Sequence, residues 1–238
     1  MWIYYPNYDL PSDELSLVKL SYPTPKRIVR LIGMIQMMMV RHGQTDGNIQ
    51  GLYQGRTDVD LNKVGREQAA KLAQRLSSEK IDCIYSSNLK RAVQTAEAVA
   101  RPHGMAVILR QDIREIDVGD LEGMTVDEIE RKYGSQRELW ENNNWCPPGG
   151  ESLAQLNTRV SQFVEDILQK HEGTTILVVA HGGTLRSLLS NCLEFGSRTW
   201  SRISIDSASL SIITLNEDRA ILSLLNDTCH LQDSEIHV

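Results

Sequence analysis

Two apolar runs in this chain end the same way: "IQMMMV" (35–40) passes directly into Arg41-His42-Gly43, and "TILVVA" (175–180) into His181-Gly182-Gly183. Strands buried on both faces of a parallel sheet read as unbroken apolar runs, and ligands of such sheets bind at the carboxyl ends of the strands. Two runs that stop at His-Gly therefore place both imidazoles on one rim. Glycine after each histidine lets backbone and ligand approach closely.

The remaining pattern supports that frame. Apolar or β-branched runs at 34–40, 81–86, 105–110 and 174–180 alternate with helical stretches, the spacing of βαβ units. "LNKVGREQAAKLAQRLSS" carries Val64, Ala69, Leu72, Ala73 and Leu76 on one face, with Asn62 as N-cap; "LKRAVQTAEAVA", "MTVDEIERKY" and "ESLAQLNTRVSQFVEDILQKH" follow the same period. "ASLSIITLN" and "AILSLLND" are separated only by residues 217–219, which predicts an antiparallel pair at the sheet edge. The expected fold is α/β with a mainly parallel sheet and an antiparallel edge strand. Residues 1–33 hold four of the seven prolines and read as a weakly ordered extension or an upstream start, leaving 34–238 as a single domain.

A net charge of −6 argues against nucleic acid or an anionic membrane as partner, while a local arginine cluster can still hold a small anion. The nearly apolar segment 31–40 is about half the length that spans a bilayer and no cleavage site follows it, so the expected location is cytoplasmic. Cys83, Cys146, Cys192 and Cys229 show no CxxC spacing and read as reduced, buried thiols, and no histidine falls at a metal-ligand spacing.

Arg91 stands near the start of a helix, with Ser86 to Asn88 expected at its cap. A cation there opposes the helix dipole, which makes sense if it and neighbouring N–H groups face a shared anion such as phosphate. Glu115, in "REIDVGDLEG", is one of six acids between Asp112 and Asp127, and spacing alone does not single it out.

Together "VRHGQTDGN", "LYQGRTDVDLNKVGREQA", "IYSSNLKRAVQTA", "REIDVGDLEG", "PPGGES" and "VVAHGGTLRSLL" resemble the phosphoglycerate mutase-like branch of the histidine phosphatase superfamily over roughly residues 34–231. The resemblance implies a three-layer sandwich with helices on both faces of the sheet, and a phosphohistidine mechanism without cofactor or metal. His42 would be the nucleophile; Arg41, Asn48, Gln54, Arg91 and His181 would surround the phosphoryl oxygens; Glu115 would be the general acid for the leaving alcohol and then the base for water. Arg41 and Arg91 would meet transition-state charge with fixed cations.

Cofactor-dependent mutases of this family follow the acid with an aromatic and basic segment. Here Glu115 precedes Ile116-Asp117-Val118-Gly119, which cannot bind a second phosphate or carboxylate, and Gly55-Arg56 stands where mutases carry Gly-Trp. The expected activity is therefore hydrolysis of a small phosphorylated metabolite, as in α-ribazole, sugar-phosphate, phosphoglycerate or broad-specificity phosphatases, with phosphoglycerate mutase as the alternative. A pseudophosphatase that binds a phosphorylated ligand without turnover is the alternative of another class. A homodimer is the assembly to test. Specificity is expected in a helical insertion at about 124–150, where Trp140 and Trp145 either pack on the sheet or stack on substrate. "GGES" reads as a turn before a helix. Arg186 reads as a helix-surface or ion-pair residue, and His230 as structural.

Overall fold

The computed structural model describes residues 33–195, 200, 202–216 and 218–232. The extension expected over 1–33 lies, apart from Gly33, outside them. Among the described residues the strands are β1 (Ile35–Arg41), β2 (Cys83–Ser87), β3 (Val107–Arg110), β4 (Thr175–Ala180), β5 (Leu210–Leu215) and β6 (Ala220–Asp227). The helices are α1 (Asp46–Ile49), α2 (Lys63–Leu76), α3 (Lys90–His103), α4 (Val126–Tyr133), α5 (Gln136–Glu141), α6 (Leu153–Lys170) and α7 (Gly182–Cys192).

The six strands form one sheet in the order β3-β2-β4-β1-β5-β6. β1 and β2 each pair in parallel with β4, and β2 with β3, whereas β5 is antiparallel to both β1 and β6. The antiparallel strand is thus one place in from the edge, covered by its hairpin partner. β1 lies between two strands and is apolar on both faces. Met37 and Met39 pack into a cluster with Leu153, Phe163 and Leu188 of α6 and α7; Met38 and Val40 face Leu72 and Val99 of α2 and α3. That alternation puts one helix layer on each face, and the methionines fill core as their flexibility allows.

Asn62 caps α2 as expected, accepting from the Gly65 amide. Val64 differs from expectation: it is 45% exposed, and the buried position of that turn is Gly65. A Cβ on Gly65 would stand 2.1 Å from the Gln44 carbonyl oxygen, so the start of α2 lies directly on the loop after β1. At α3 the cap is also different. The N-cap residue is Leu89, without a side-chain bond, and the Lys90 amide donates to Asp58 Oδ1 at 2.7 Å from the preceding loop. The four thiols are unpaired, but only Cys83 and Cys192 are half-buried, and Cys146 and Cys229 are exposed. Burial pushes the Cys192 thiol up to about 12.

The last part of the chain is tied to the back of β1. Arg75 of α2 holds Asp227 Oδ2 at 2.5 Å and His230 Nδ1 at 3.0 Å, and His230 Nε2 donates to the Ala208 carbonyl at 3.1 Å. The Ala208 amide in turn donates to the carbonyls of Arg41 and His42 at 3.0 and 3.2 Å. His230 is therefore structural, as expected. Among the described residues no helix is long and apolar enough to cross a membrane.

Candidate active site

β1, β4 and β2 are neighbours, so their carboxyl ends bring Arg41-His42, His181 and Ser87 together. His42 is 3% exposed, and its ring centroid is 5.2 Å from that of the fully buried His181. His42 Nδ1 lies 2.7 Å from the Gly43 carbonyl oxygen. A carbonyl only accepts, so Nδ1 carries the proton and the Nε2 lone pair is available for attack. Burial, with the Arg41 and Arg91 guanidinium groups close by, holds the His42 pKa well below the ordinary imidazole value. Burial, then Arg91 and His42, does the same to His181, whose Nε2 is 2.8 Å from Ser87 Oγ.

Two cations, Arg91 buried and Arg41 half-buried, flank the nucleophile. Arg41 Nη1 donates to the Ile205 carbonyl at 2.6 Å, and Arg91, 1% exposed, donates to the carbonyls of Thr57 and Gly55 at 2.7 and 2.8 Å. Burial lowers both guanidinium pKa values from the ordinary one, yet arginine starts so high that both remain charged. Among the described residues Arg41 Nε, Arg91 Nε and His181 Nδ1 are buried without a partner. Arg41 and Arg91 both line the cavity, and their free N–H donors there suit an anion.

Thr45 orients the two amides. Its amide donates to Asn48 Oδ1 at 3.0 Å and its hydroxyl to Gln54 Oε1 at 2.8 Å, which leaves the NH2 end of each side chain as the donor available to a ligand.

Glu115 lies across the N-terminus of α7. Its Oε1 accepts from the Ile116 and Thr184 amides at 2.9 and 3.1 Å, and Oε2 from the Gly183 amide alone at 3.1 Å. Oε2 is thus the oxygen with capacity left for a proton. A Cβ on Gly183 would stand 2.6 Å from Oε1, so that glycine is required by the carboxylate. Gly183→Ala is expected to fold, because the obstacle is the end of a flexible side chain, but to lower kcat on alkyl phosphates by about 100-fold, the low end for a displaced acid–base group. Aryl esters, whose leaving oxygen needs no proton, should lose much less; equal losses on both would show that Glu115 is not the group disturbed.

Arg159 of α6 fixes the backbone that carries Glu115. It forks onto Glu151 at 2.7 and 2.9 Å and donates to the carbonyls of Asp112 (2.8 Å), Arg114 (2.8 Å) and Glu115 (3.1 Å). Glu151 also accepts from the Asp117 amide at 3.2 Å. "GGES" is therefore more than a turn before a helix: it supplies the acid that holds Arg159.

Six of the seven predicted site residues, Arg41, His42, Asn48, Gln54, Arg91 and Glu115, line one cavity of about 710 Å³, while His181 touches His42 from within the core. One expectation gains a packing reason and another needs correction. Gly43 is required by packing, since a Cβ there would stand 2.5 Å from the Gly65 carbonyl oxygen. Arg186 is on the cavity wall, its Nε donating to the Ile203 carbonyl at 2.7 Å and its guanidinium 5.3 Å from the Trp200 ring centre. Trp140, 5% exposed, packs on both Trp145 and Trp200 and also lines the cavity, while Trp145 packs behind it. Thr45, Ser87, Glu151 and Arg159 were missed because each acts on another site residue across the fold; the periodicity of "ESLAQLNTRV" showed a helix but not which of its polar residues faced inward.

The profile of the histidine phosphatase superfamily (branch 1) matches residues 37–228. Phosphoserine phosphatase 1 of Hydrogenobacter thermophilus is 40% identical over 83% of this chain and 95% of its own. Phosphoglycerate mutase-like protein 4 of Arabidopsis thaliana is 35% identical over 84% of this chain and 88% of its own. The structure of mycobacterial glucosyl-3-phosphoglycerate phosphatase in complex with VO3 superposes with a TM-score of 0.76 at 29% identity, covering 81% of this chain and 99% of that one. The chain belongs to the histidine phosphatase superfamily, branch 1, and is an enzyme of its phosphomonoesterase class.

Proposed function

We propose that this protein hydrolyses a small, anionic phosphorylated metabolite in the cytoplasm, without a metal ion, through a phosphohistidine on His42. The observation that carries the reading is the charge of the cavity. In a protein of net charge −6, the cavity wall presents Arg41, Arg91, Arg137, Arg186 and Arg202 against the carboxylate of Glu115. A neutral imidazole stands among them.

His42 Nε2 attacks phosphorus in line as the bond to the ester oxygen breaks. Arg41, Arg91 and the NH2 ends of Asn48 and Gln54 hold the equatorial oxygens, and His181 supports the phosphoryl group from beside His42. Glu115 gives its Oε2 proton to the leaving alcohol. Water then attacks the phosphohistidine, Glu115 takes its proton, and phosphate leaves with His42 neutral again. The four unpaired thiols fit a reducing compartment.

Hydrolysis of p-nitrophenyl phosphate in EDTA, with acid-labile phosphate trapped on the chain, tests the reading. Activity that needs added metal, or label retained in His42→Ala, would overturn it. Mutase activity on phosphoglycerates is assayed in parallel because of the mutase-like relative. Turnover faster than hydrolysis there would favour transfer to a second hydroxyl.

A further inference from the structure

We infer that Arg186 is the specificity residue of this site and that the leaving group it selects carries a carboxylate close to the ester oxygen. The inference rests on the phosphomonoesterase reading and deepens it. The segment after Glu115 lacks the basic residues that would hold a second acidic group, but the fold supplies one from α7.

Arg186 stands one helical turn beyond Gly183, whose amide holds Glu115, and so shares its helix face. The acid that protonates the ester oxygen and the cation are thus neighbours. Burial lowers the Arg186 pKa from the ordinary arginine value, and Glu115, then Tyr53 and Asp206, act against that shift.

Arg186 is also fixed in orientation. Nε is bound to the Ile203 carbonyl, and the guanidinium stacks at 5.3 Å on Trp200, whose Nε1 donates to the Gly183 carbonyl at 3.2 Å. Among the described residues no carboxylate pairs with it, and its two Nη groups remain as a fork on the cavity wall. Arg137, by contrast, is engaged by Glu141 at 2.9 Å. A fixed, half-buried fork carrying one charge matches the two oxygens and one charge of a carboxylate.

The test compares 3-phosphoglycerate with glycerol 3-phosphate, which differ by carboxylate against hydroxymethyl. Wild-type enzyme should show kcat/KM about 10- to 100-fold higher for the carboxylate ester, the range of a charge-assisted pair. In Arg186→Met the ratio should fall to near unity, chiefly through KM for the acid, and Arg186→Lys should recover part of it. Equal wild-type values, or a ratio preserved in Arg186→Met, would overturn the inference, as would a preference for a bisphosphate over both esters. If Arg186→Met does not fold, the wild-type ratio and the KM of Arg186→Lys decide. His42-dependent hydrolysis of glycerol 3-phosphate would leave the phosphatase reading intact in each of those cases, whereas no turnover of either ester or of p-nitrophenyl phosphate defeats that reading itself.

Discussion

His42→Ala should lower kcat by roughly 10⁴-fold or more, the loss that follows removal of a covalent nucleophile. The effect belongs to chemistry and not to the fold, because the ring makes one local bond, to its neighbour's carbonyl. The pH profile carries the second half of the prediction. Protonated imidazole cannot attack, and burial with Arg41 and Arg91 disfavours the cation, so His42 stays neutral as pH falls through about 6.5. The acid limb of kcat/KM should therefore lie well below that value. The same shift bears on stability. The unfolded chain takes up protons on His42 and His181 below about pH 6.5 that the folded chain refuses, so folding free energy declines as pH drops through that window. An acid limb at or above 6.5, measured with a substrate whose phosphate does not titrate there, would mean that the nucleophile is not held neutral.

Arg159→Met should be the most destabilising of the changes considered, about 3 kcal/mol in urea unfolding, because one side chain satisfies a nearly buried carboxylate and three backbone carbonyls. Glu151 and Arg159 have side chains only 11% and 15% exposed. Removing the arginine leaves three backbone carbonyls without their donor and takes the bidentate partner from Glu151, which keeps only Arg56 at 3.5 Å and the Asp117 amide. Replacing both, as Glu151→Gln with Arg159→Met, should cost less than the sum of the single changes, since the two side chains are direct partners. A loss under about 1 kcal/mol, the range of exposed pairs, would show that the pair does not hold the segment. Kinetics should register the change too, as lower kcat on alkyl phosphates, because that segment carries Glu115.

The sequence displayed the frame and the centre of the site clearly. Long apolar runs and amphipathic periods are local signals, and they located β1, β4, α2 and α6 within a residue or two. The two His-Gly endings marked the rim because a parallel sheet converts strand ends into neighbours. What stayed hidden depends on contacts between distant segments. Val64 satisfied the helical period, but the Gly65 backbone had already taken the inner position against Gln44. Arg186 looked like any polar residue of a helix until α7 was placed with its N-terminus on Glu115. Arg159 and Glu151, eight residues apart, became a pair only through the turn that precedes α6.

The tie from Arg75 through His230 and Ala208 to the backbone of Arg41 and His42 also governs the timing of assembly. The nucleophile is made before the segments that hold it, since its strand pairs with residues 175–180 and 210–215 and its carbonyl is held by residue 208. On the ribosome, a chain long enough to contain His42, Arg91 and Glu115 would still lack both flanking strands of β1. Formation of the reactive imidazole is therefore a late folding event, governed by contacts of long sequence separation and their slow closure.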